Sequence, residues 1–398
     1  MTWKKMLLSD LFRIGSSKRV LQSQWKSEGI PFYRGREITR LSATGFVDNE
    51  LFISEEHYNE VATKYGVPSE GDIVITAIGT IGNSHIVRAR DKFYFKDASV
   101  LWLKKVADVS TEFINLWLKS PIFFNQLDKG NGATVDTLTI QKLQNVRIAI
   151  PTLAEQQRIV TILDEAFAGI ATASANAEKN LANARELFNS YLQSVFENKG
   201  EDWEEKTFGE VLLKTETVDP TKTPNEEFVY LDVSSVNKET KEIENASLLF
   251  GKDAPSRARK LIRTNDVIFA TVRPTHSRVA KISEEYDEQV CSTGYFVLRA
   301  KEFLNNNLVF YFILTYGFNK QMEKLQKGAS YPAVTDSEVK GIYIPFPKSL
   351  KTQQKIVQKL DELSTETKKL ETIYQQKLVA LDELKKSILN QAFSGQLH

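Results

Sequence analysis

Apolar and small residues recur at alternating spacings of four and three along one stretch of the chain: Ile159, Leu163, Ala166, Ile170, Ala173, Ala177, Leu181, Ala184, Phe188, Tyr191 and Val195, with one extra four at 177–181. This rhythm predicts a long helix with a coiled-coil seam and a stutter. It returns at Ile356, Leu360, Leu363, Thr367, Leu370, Tyr374, Leu378, Leu381, Leu384, Ile388 and Ala392. No proline interrupts either run. Each follows a proline (Pro151, Pro347), and a glycine (Gly200, Gly395) stands after each. The first opens with Thr152 and Glu155 in the spacing of a capping box. Each helix is expected to span about 42 residues, or about 63 Å. A one-sided seam of that length needs a partner, and the other copy is the natural one. The Ala-rich middle of the first helix suits the Leu370, Ile373, Tyr374 and Leu378 of the second, an arrangement that antiparallel pairing produces.

The two runs are copies. Aligning Gln156 with Gln353, 197 positions later, brings Gln157, Ile159, Val160, Leu163, Asp164, Glu165, Leu181, Glu186, Leu187, Ser190, Leu192 and Phe196 onto identical residues, ending at Phe393. The segments before each helix repeat only in outline. Trp3 matches Trp203 and Tyr33 matches Tyr230. GDIVITAIG (71–79) matches NDVIFATVR (265–273), each a strand entered by a polar turn. GATVDTLTIQKLQNVRIAIP (132–151) matches GASYPAVTDSEVKGIYIPFP (328–347). DIVITA, SVLWL, DVIFA and YFVLR read as strands, whereas FINLWLKS (113–120) and LVFYFILTYGFNKQMEKLQ (308–326) read as helical. The expected organisation is α+β: a globe over 1–150, a long helix over 151–199, a second globe over 200–347 and a second long helix over 348–398. Like helices beside diverged globes suit one symmetric mount carrying two different readers.

Composition narrows the function. With 398 residues, 41% hydrophobic and 26% charged, the chain fits a soluble protein of two or more domains. A single cysteine, Cys291, excludes a disulfide framework and suits a reducing cytoplasm. Four scattered histidines (His57, His85, His276, His398) give no zinc-ligand spacing. The apolar runs in MTWKKMLLSDLF and LVFYFILTY are too short for a secretory h-region or a membrane span. Net charge is only +1, yet residues 252–281 hold eight basic residues (Lys252, Arg257, Arg259, Lys260, Arg263, Arg273, Arg278, Lys281) against Asp253 and Asp266. Lys18, Arg19, Lys26, Arg34, Arg36 and Arg40 against Glu28 and Glu37 make a smaller patch. Such patches can grip phosphates on a chain that is neutral overall, or simply be solvated faces.

Catalytic motifs are missing from the sequence. There is no Asn/Asp-Pro-Pro-aromatic motif, no GxGxxG and no GxxxxGK[ST]; DPT at 219–221 reads as a turn. Asp336-x-Glu338-x-Lys340 superficially resembles a nuclease triad, a pattern that arises easily by chance. What remains suits binding. ATVRPTHSRVA (270–280) puts Arg273, Thr275, His276, Ser277 and Arg278 around a proline-containing turn. Arginine can pair bidentately with guanine, and serine and threonine can meet a base edge or a phosphate. The equivalent ITAIGTIGNSHIVRA (75–89) offers Thr76, Thr80, Asn83, Ser84 and His85. FYRGREITR (32–40), with Arg34 and Arg36, and SRARK (256–260), with Arg257, Arg259 and Lys260, read as basic loops suited to phosphates. The loops GNGAT (130–134), with Thr134, and GASYP (328–332), with Ser330 and Tyr331, can approach a backbone closely through glycine. Ordinary turns are the competing reading for each single residue.

Together, the order globe–helix–globe–helix and the doubled joint, IAIPTLAEQQRIV and IPFPKSLKTQQKIV, resemble the specificity subunit of type I restriction–modification systems across the whole chain. The second joint departs slightly, with Thr352 where the first has Glu155. The resemblance implies two pseudo-symmetric α/β target recognition domains, each reading one half of a bipartite double-stranded DNA sequence. It implies an antiparallel pair of helices that sets the unspecified gap. It further implies a non-catalytic, cytoplasmic chain with no cofactor or metal of its own and no membrane partner. Two modification subunits would bring S-adenosylmethionine and methylate adenine N6, and restriction–translocase subunits would bring ATP and Mg. Read without the resemblance, the chain leaves two other classes open: a nuclease or methyltransferase with degenerate motifs, and a coiled-coil protein adaptor.

Overall fold

The structure is a computed structural model that describes residues 3–127 and 137–397. The chain divides into two compact units, residues 1–177 with 376–398, and residues 178–375. Each contains one globe and part of both long helices.

In the first unit the strands are β1 (Lys4–Leu7), β2 (Phe12–Gly15), β3 (Ile30–Tyr33), β4 (Phe52–Ile53), β5 (Ile73–Thr76), β6 (Ser84–Ile86), β7 (Tyr94–Phe95), β8 (Val100–Lys105) and β9 (Arg147–Ile150). Helices α1 (Leu8–Leu11), α2 (Gly35–Thr44), α3 (Glu55–Tyr65), α4 (Thr111–Trp117), α5 (Pro121–Leu127) and α6 (Ile140–Asn145) connect them, and α7 (Leu153–Glu197) begins here. An antiparallel sheet β2-β8-β5-β6 stands beside a sheet β4-β3-β7, in which β3 and β7 are parallel. Strand β1 pairs with β9, so the globe closes on itself just before α7.

The second unit repeats this plan. Its strands are β10 (Trp203–Thr207), β11 (Glu227–Leu231), β12 (Ser247–Phe250), β13 (Ala258–Leu261), β14 (Val267–Ala270), β15 (Val279–Lys281), β16 (Val290–Ser292), β17 (Tyr295–Leu298) and β18 (Tyr343–Pro347). Its helices are α8 (Phe208–Val211), α9 (Asn306–Ile313), α10 (Tyr316–Leu325), α11 (Asp336–Lys340) and the start of α12 (Leu350–Phe393). The sheet β15-β14-β17 answers β6-β5-β8, the parallel pair β11/β16 answers β3/β7, and β10/β18 answers β1/β9.

Equivalent residues build equivalent joints. The polar turns before the central strands hold buried aspartates, Asp72 and Asp266. Asp72 accepts from Trp102 Nε1 and from the backbone N–H groups of Ser69 and Lys105. Asp266 accepts from Arg263 N–H and takes both arms of the Arg299 guanidinium, at 2.9 and 2.8 Å. Different neighbours thus satisfy the same buried charge. The repeated glutamines are the second joint. Gln156 accepts from Ser110 N–H (2.8 Å) and donates to Pro151 O (2.9 Å). Gln353 accepts from Asn305 N–H (2.7 Å) and donates to Phe303 O (3.0 Å) and Pro347 O (2.7 Å). Both side chains are buried. Ser110 and Asn305 are the N-caps of α4 and α9, so each glutamine ties its long helix to its own globe.

The long helices pack antiparallel within each unit. In the first, Arg158 reaches Leu397 O, and Lys385 lies over the Phe167 ring. There Phe393 meets Phe113 edge-on at 5.0 Å. In the second, Arg185 pairs with Glu371, and Phe196 meets Phe312 edge-on at 5.4 Å. Phe196 and Phe393 are themselves repeat equivalents, so each globe holds the start of one helix and the end of the other.

Several expectations are corrected. The helices run 45 and 44 residues, longer than the expected 42. The seam rotates near the end of α7: Leu192 and Phe196 are buried, whereas Tyr191 is exposed, because Phe196 turns toward the aromatic core of the second globe. Leu370 and Ile373 of α12 are 41% and 54% exposed, and Leu384 also faces solvent, so they are not seam residues. At Leu370 the next residue, Glu371, turns inward to meet Arg185. The capping box is half-formed. Glu155 N–H reaches Thr152 Oγ1, but the Glu155 carboxylate turns to Arg158. The helix read over 308–326 is broken into α9 and α10 by Thr315, which caps α10 as Ser120 caps α5. FYRGREITR is strand followed by helix α2, and SRARK runs into strand β13; neither is a free loop. Asp219 caps a short turn at DPT, as read.

Candidate nucleic-acid interface

The tip of the first unit is the turn between β5 and β6. Thr76 is buried and organises it: its Oγ1 donates to Thr80 O and accepts from Asn83 N–H. Asn83 Nδ2 bridges Thr80 O and Thr39 Oγ1 on α2. Ile78, Gly79 and Thr80 are left exposed. Ser84 is buried and donates to Asn115 Oδ1, and His85 Nε2 lies 3.1 Å from Asp91. Among the sequence candidates in this turn, Thr80 is therefore the one turned outward, whereas Thr76, Asn83, Ser84 and His85 serve the frame. Thr134 and the GNGAT loop lie outside the described residues.

Arg34 and Arg36 flank the first residue of α2. Their guanidinium groups converge on Glu37, which is almost fully buried. Burial pushes the Glu37 carboxyl upward, but the hydrogen bonds from Arg34 and Arg36 outweigh it and hold the group below its ordinary range. Arg36 also meets Glu50. Both arginines thus brace the start of α2, and Arg36 remains partly exposed.

The tip of the second unit is the turn between β14 and β15. Arg273 and Ser277 both take left-handed backbone, at φ 50° and 48°, on either side of Pro274–His276. Four contacts hold this unusual turn. Arg273 N–H donates to Pro332 O at 2.7 Å. Asn319 on α10 donates to Thr275 O (3.2 Å) and Ser277 Oγ (2.7 Å). The Arg273 guanidinium stacks over the Tyr331 ring, 4.9 Å from its centroid. Tyr331 is 72% exposed, and Ser330 and His276 also face solvent. Arg273, Thr275, His276, Ser330 and Tyr331 therefore share one surface.

The rest of the basic segment is mostly committed internally. Arg278 donates to Val236 O, and the Lys241 ammonium donates to Ser277 O. Burial lowers the Lys241 pKa, with Glu239 opposing. Lys260 is held by Tyr295 O and Asp336. Arg259 meets Asp219, Arg263 meets Glu216, and Lys281 meets Asp361. Lys252, Arg257 and Arg273 have no acidic partner among the described residues. Five of the eight cations of 252–281 thus also fix loops and strands. The supposed nuclease triad is also accounted for. Asp336 pairs with Lys260, and Glu338 caps α11 through Thr335 and takes Lys327, which hold its carboxyl down to about 2.

Sequence reasoning missed Asn319, Thr39 and the 236–244 loop as supports of the tips. Their contacts span roughly 40 residues of sequence and leave no local pattern. Among the described residues, no cluster of His, Cys, Asp and Glu could hold a metal ion, and no helix is long and apolar enough to cross a membrane.

The chain matches the type I restriction modification DNA specificity domain over residues 1–181 and again over 200–378. A Haemophilus influenzae protein assigned as a type I restriction enzyme specificity subunit is 34% identical over 163 residues, covering 41% of this chain and 40% of that relative. The MjaVIII specificity subunit of Methanocaldococcus jannaschii is 23% identical over 428 aligned positions, covering 99% of this chain and 93% of its own. In fold, the chain resembles a type I R-M chain solved in a study of complex assembly and conformational transition, with TM-score 0.79, 18% identity and coverage of 100% and 98%.

Proposed function

The chain belongs to the type I restriction–modification DNA specificity family, and from that premise we propose that its two units read the two halves of a bipartite double-stranded DNA target, with α7 and α12 setting the unspecified gap. The observation that carries this reading is the repeat. The frame recurs residue for residue at Asp72 and Asp266, Gln156 and Gln353, Phe393 and Phe196, while the exposed tips share almost nothing. A shared frame with unlike tips is what two words read in one register require.

Specificity subunits are non-catalytic components of type I enzymes. The chemistry in this proposal belongs to partners. Two identical modification subunits carry S-adenosylmethionine and methylate adenine N6, one on each strand, with the base turned out of the stack. Restriction subunits add translocation and cleavage driven by ATP and Mg. Support for two identical partners comes from leucines exposed at equivalent places: Leu153 and Leu350 at 44% and 41%, Leu187 and Leu384 at 69% and 47%. Large apolar side chains left in solvent at matched positions suit paired docking sites.

In the second unit, Arg273, Thr275, His276, Ser330 and Tyr331 face base edges and Arg257 faces phosphate. In the first, exposed Thr80 faces bases. Inserting one helical turn into both α7 and α12 lengthens each by about 5.4 Å. The expected result is a recognised gap longer by one or two base pairs, with both half-sequences unchanged, read by methylation mapping. An unchanged gap would defeat the spacer role of the helices.

A further inference from the structure

The units differ most between their parallel strands and their central strands. After β3 the first unit builds α2, ten residues of regular helix; after β11 the second has only a short turn at Val233–Ser235 and the irregular 236–244 loop. Helix α2 has two distinct faces. Ile38 and Leu41 pack into a core with Val74, Val87, Phe95 and Val100. Arg36, Arg40 and Ala43 are exposed, at the i, i+4, i+7 spacing of one helical stripe. Arg40 has no ion-pair partner among the described residues.

The helix is fastened to the tip. Thr39 Oγ1 accepts from Asn83 Nδ2 at 3.2 Å and donates to Gly35 O at 2.9 Å. A Cβ on Gly35 would stand 3.8 Å from Ile78 O, so the first turn of α2 lies against the backbone of the tip loop. Arg34 and Arg36, clamped on buried Glu37, fix its start, and Gly45 in left-handed backbone ends it. A short, rigid helix whose exposed stripe carries Arg40 without an ion-pair partner among the described residues, fixed beside exposed Thr80 and half-buried Asn83, has the dimensions and chemistry to enter a DNA major groove.

We propose that α2 is a recognition helix: the first unit reads its half-site through Arg40 at a base edge in the major groove, whereas the second reads with loops alone. This rests on the reading of both tips as DNA-contacting. The test uses full-length chain assembled with its modification subunits, and methylation rates on targets substituted one base pair at a time. Arg40→Ala is expected to lose about tenfold on the native half-site of the first unit and to relax its preference at one base pair, with the other half unchanged. Arg40→Gln is expected to move that preference toward adenine. Arg273→Ala is the internal control. If it relaxes the second half while Arg40→Ala changes nothing, the recognition helix is overturned and the tip reading stands. If neither variant has an effect, the tip reading itself fails. A uniform loss across all sequences with Arg40→Ala also overturns the proposal, because it assigns Arg40 to phosphate.

Discussion

Replacing Arg273 with alanine is expected to reduce methylation at targets bearing the second unit's half-site by about ten- to a hundredfold while leaving discrimination at the other half intact. The effect is large because the residue is prepared for one task. Its backbone sits in the left-handed region, which costs a non-glycine residue about 1–2 kcal/mol. The N–H bond to Pro332 O and the neighbouring turn held by Asn319 keep it there. Its guanidinium, stacked on exposed Tyr331, has a fixed plane and free hydrogen-bond donors. Lysine cannot reproduce that fork, so Arg273→Lys is expected to behave like the alanine variant. Arg278 makes the contrast. Its guanidinium is spent on Val236 O, so Arg278→Ala is expected to lower thermal stability along with recognition. Methylation of a panel of singly substituted targets, with a melting curve for each variant, separates the two. Equal loss at both halves with Arg273→Ala contradicts its assignment to one tip.

The second large effect is at the joint. Gln353→Leu keeps the volume roughly constant but strands three backbone groups: Asn305 N–H, Phe303 O and Pro347 O. A buried polar group left without its partner costs about 1–3 kcal/mol, so the variant should lose about 3 kcal/mol in total, allowing for partial relaxation. Gln156→Leu strands only Ser110 N–H and Pro151 O and should lose less. Denaturant unfolding of the full chain measures both. A Gln353→Leu loss below 0.5 kcal/mol would mean that the glutamine is not what fastens the helix to the globe.

The joint was also the most legible part of the sequence. The doubled Gln-Gln after a proline, and the apolar rhythm behind it, located both helices, because periodicity and exact repetition are local signals. Helix α2 was not legible. Its first residues, Arg34-Gly35-Arg36, read as a basic loop, and only the buried position of Glu37 between both arginines makes them a helix start. The basic run of 252–281 was only partly legible for a related reason. Composition counts charges but not their partners, and Lys260 finds Asp336 across 76 positions of sequence. Seam residues Tyr191, Leu370 and Leu384 were misplaced by a single step of the helix. Near the globes, tertiary contacts such as Phe196 on Phe312 decide which face turns inward. The exposed side of the second unit's tip depended on left-handed turns at Arg273 and Ser277, which no residue type there announces.

Mapping every N6-methyladenine made by the full chain with its modification subunits tests the two-reader claim most directly. The predicted result is one bipartite word: two specific half-sequences at a fixed unspecified spacing, with a methylated adenine in each half on opposite strands. A single uninterrupted word, or two half-words methylated independently at variable spacing, would contradict it.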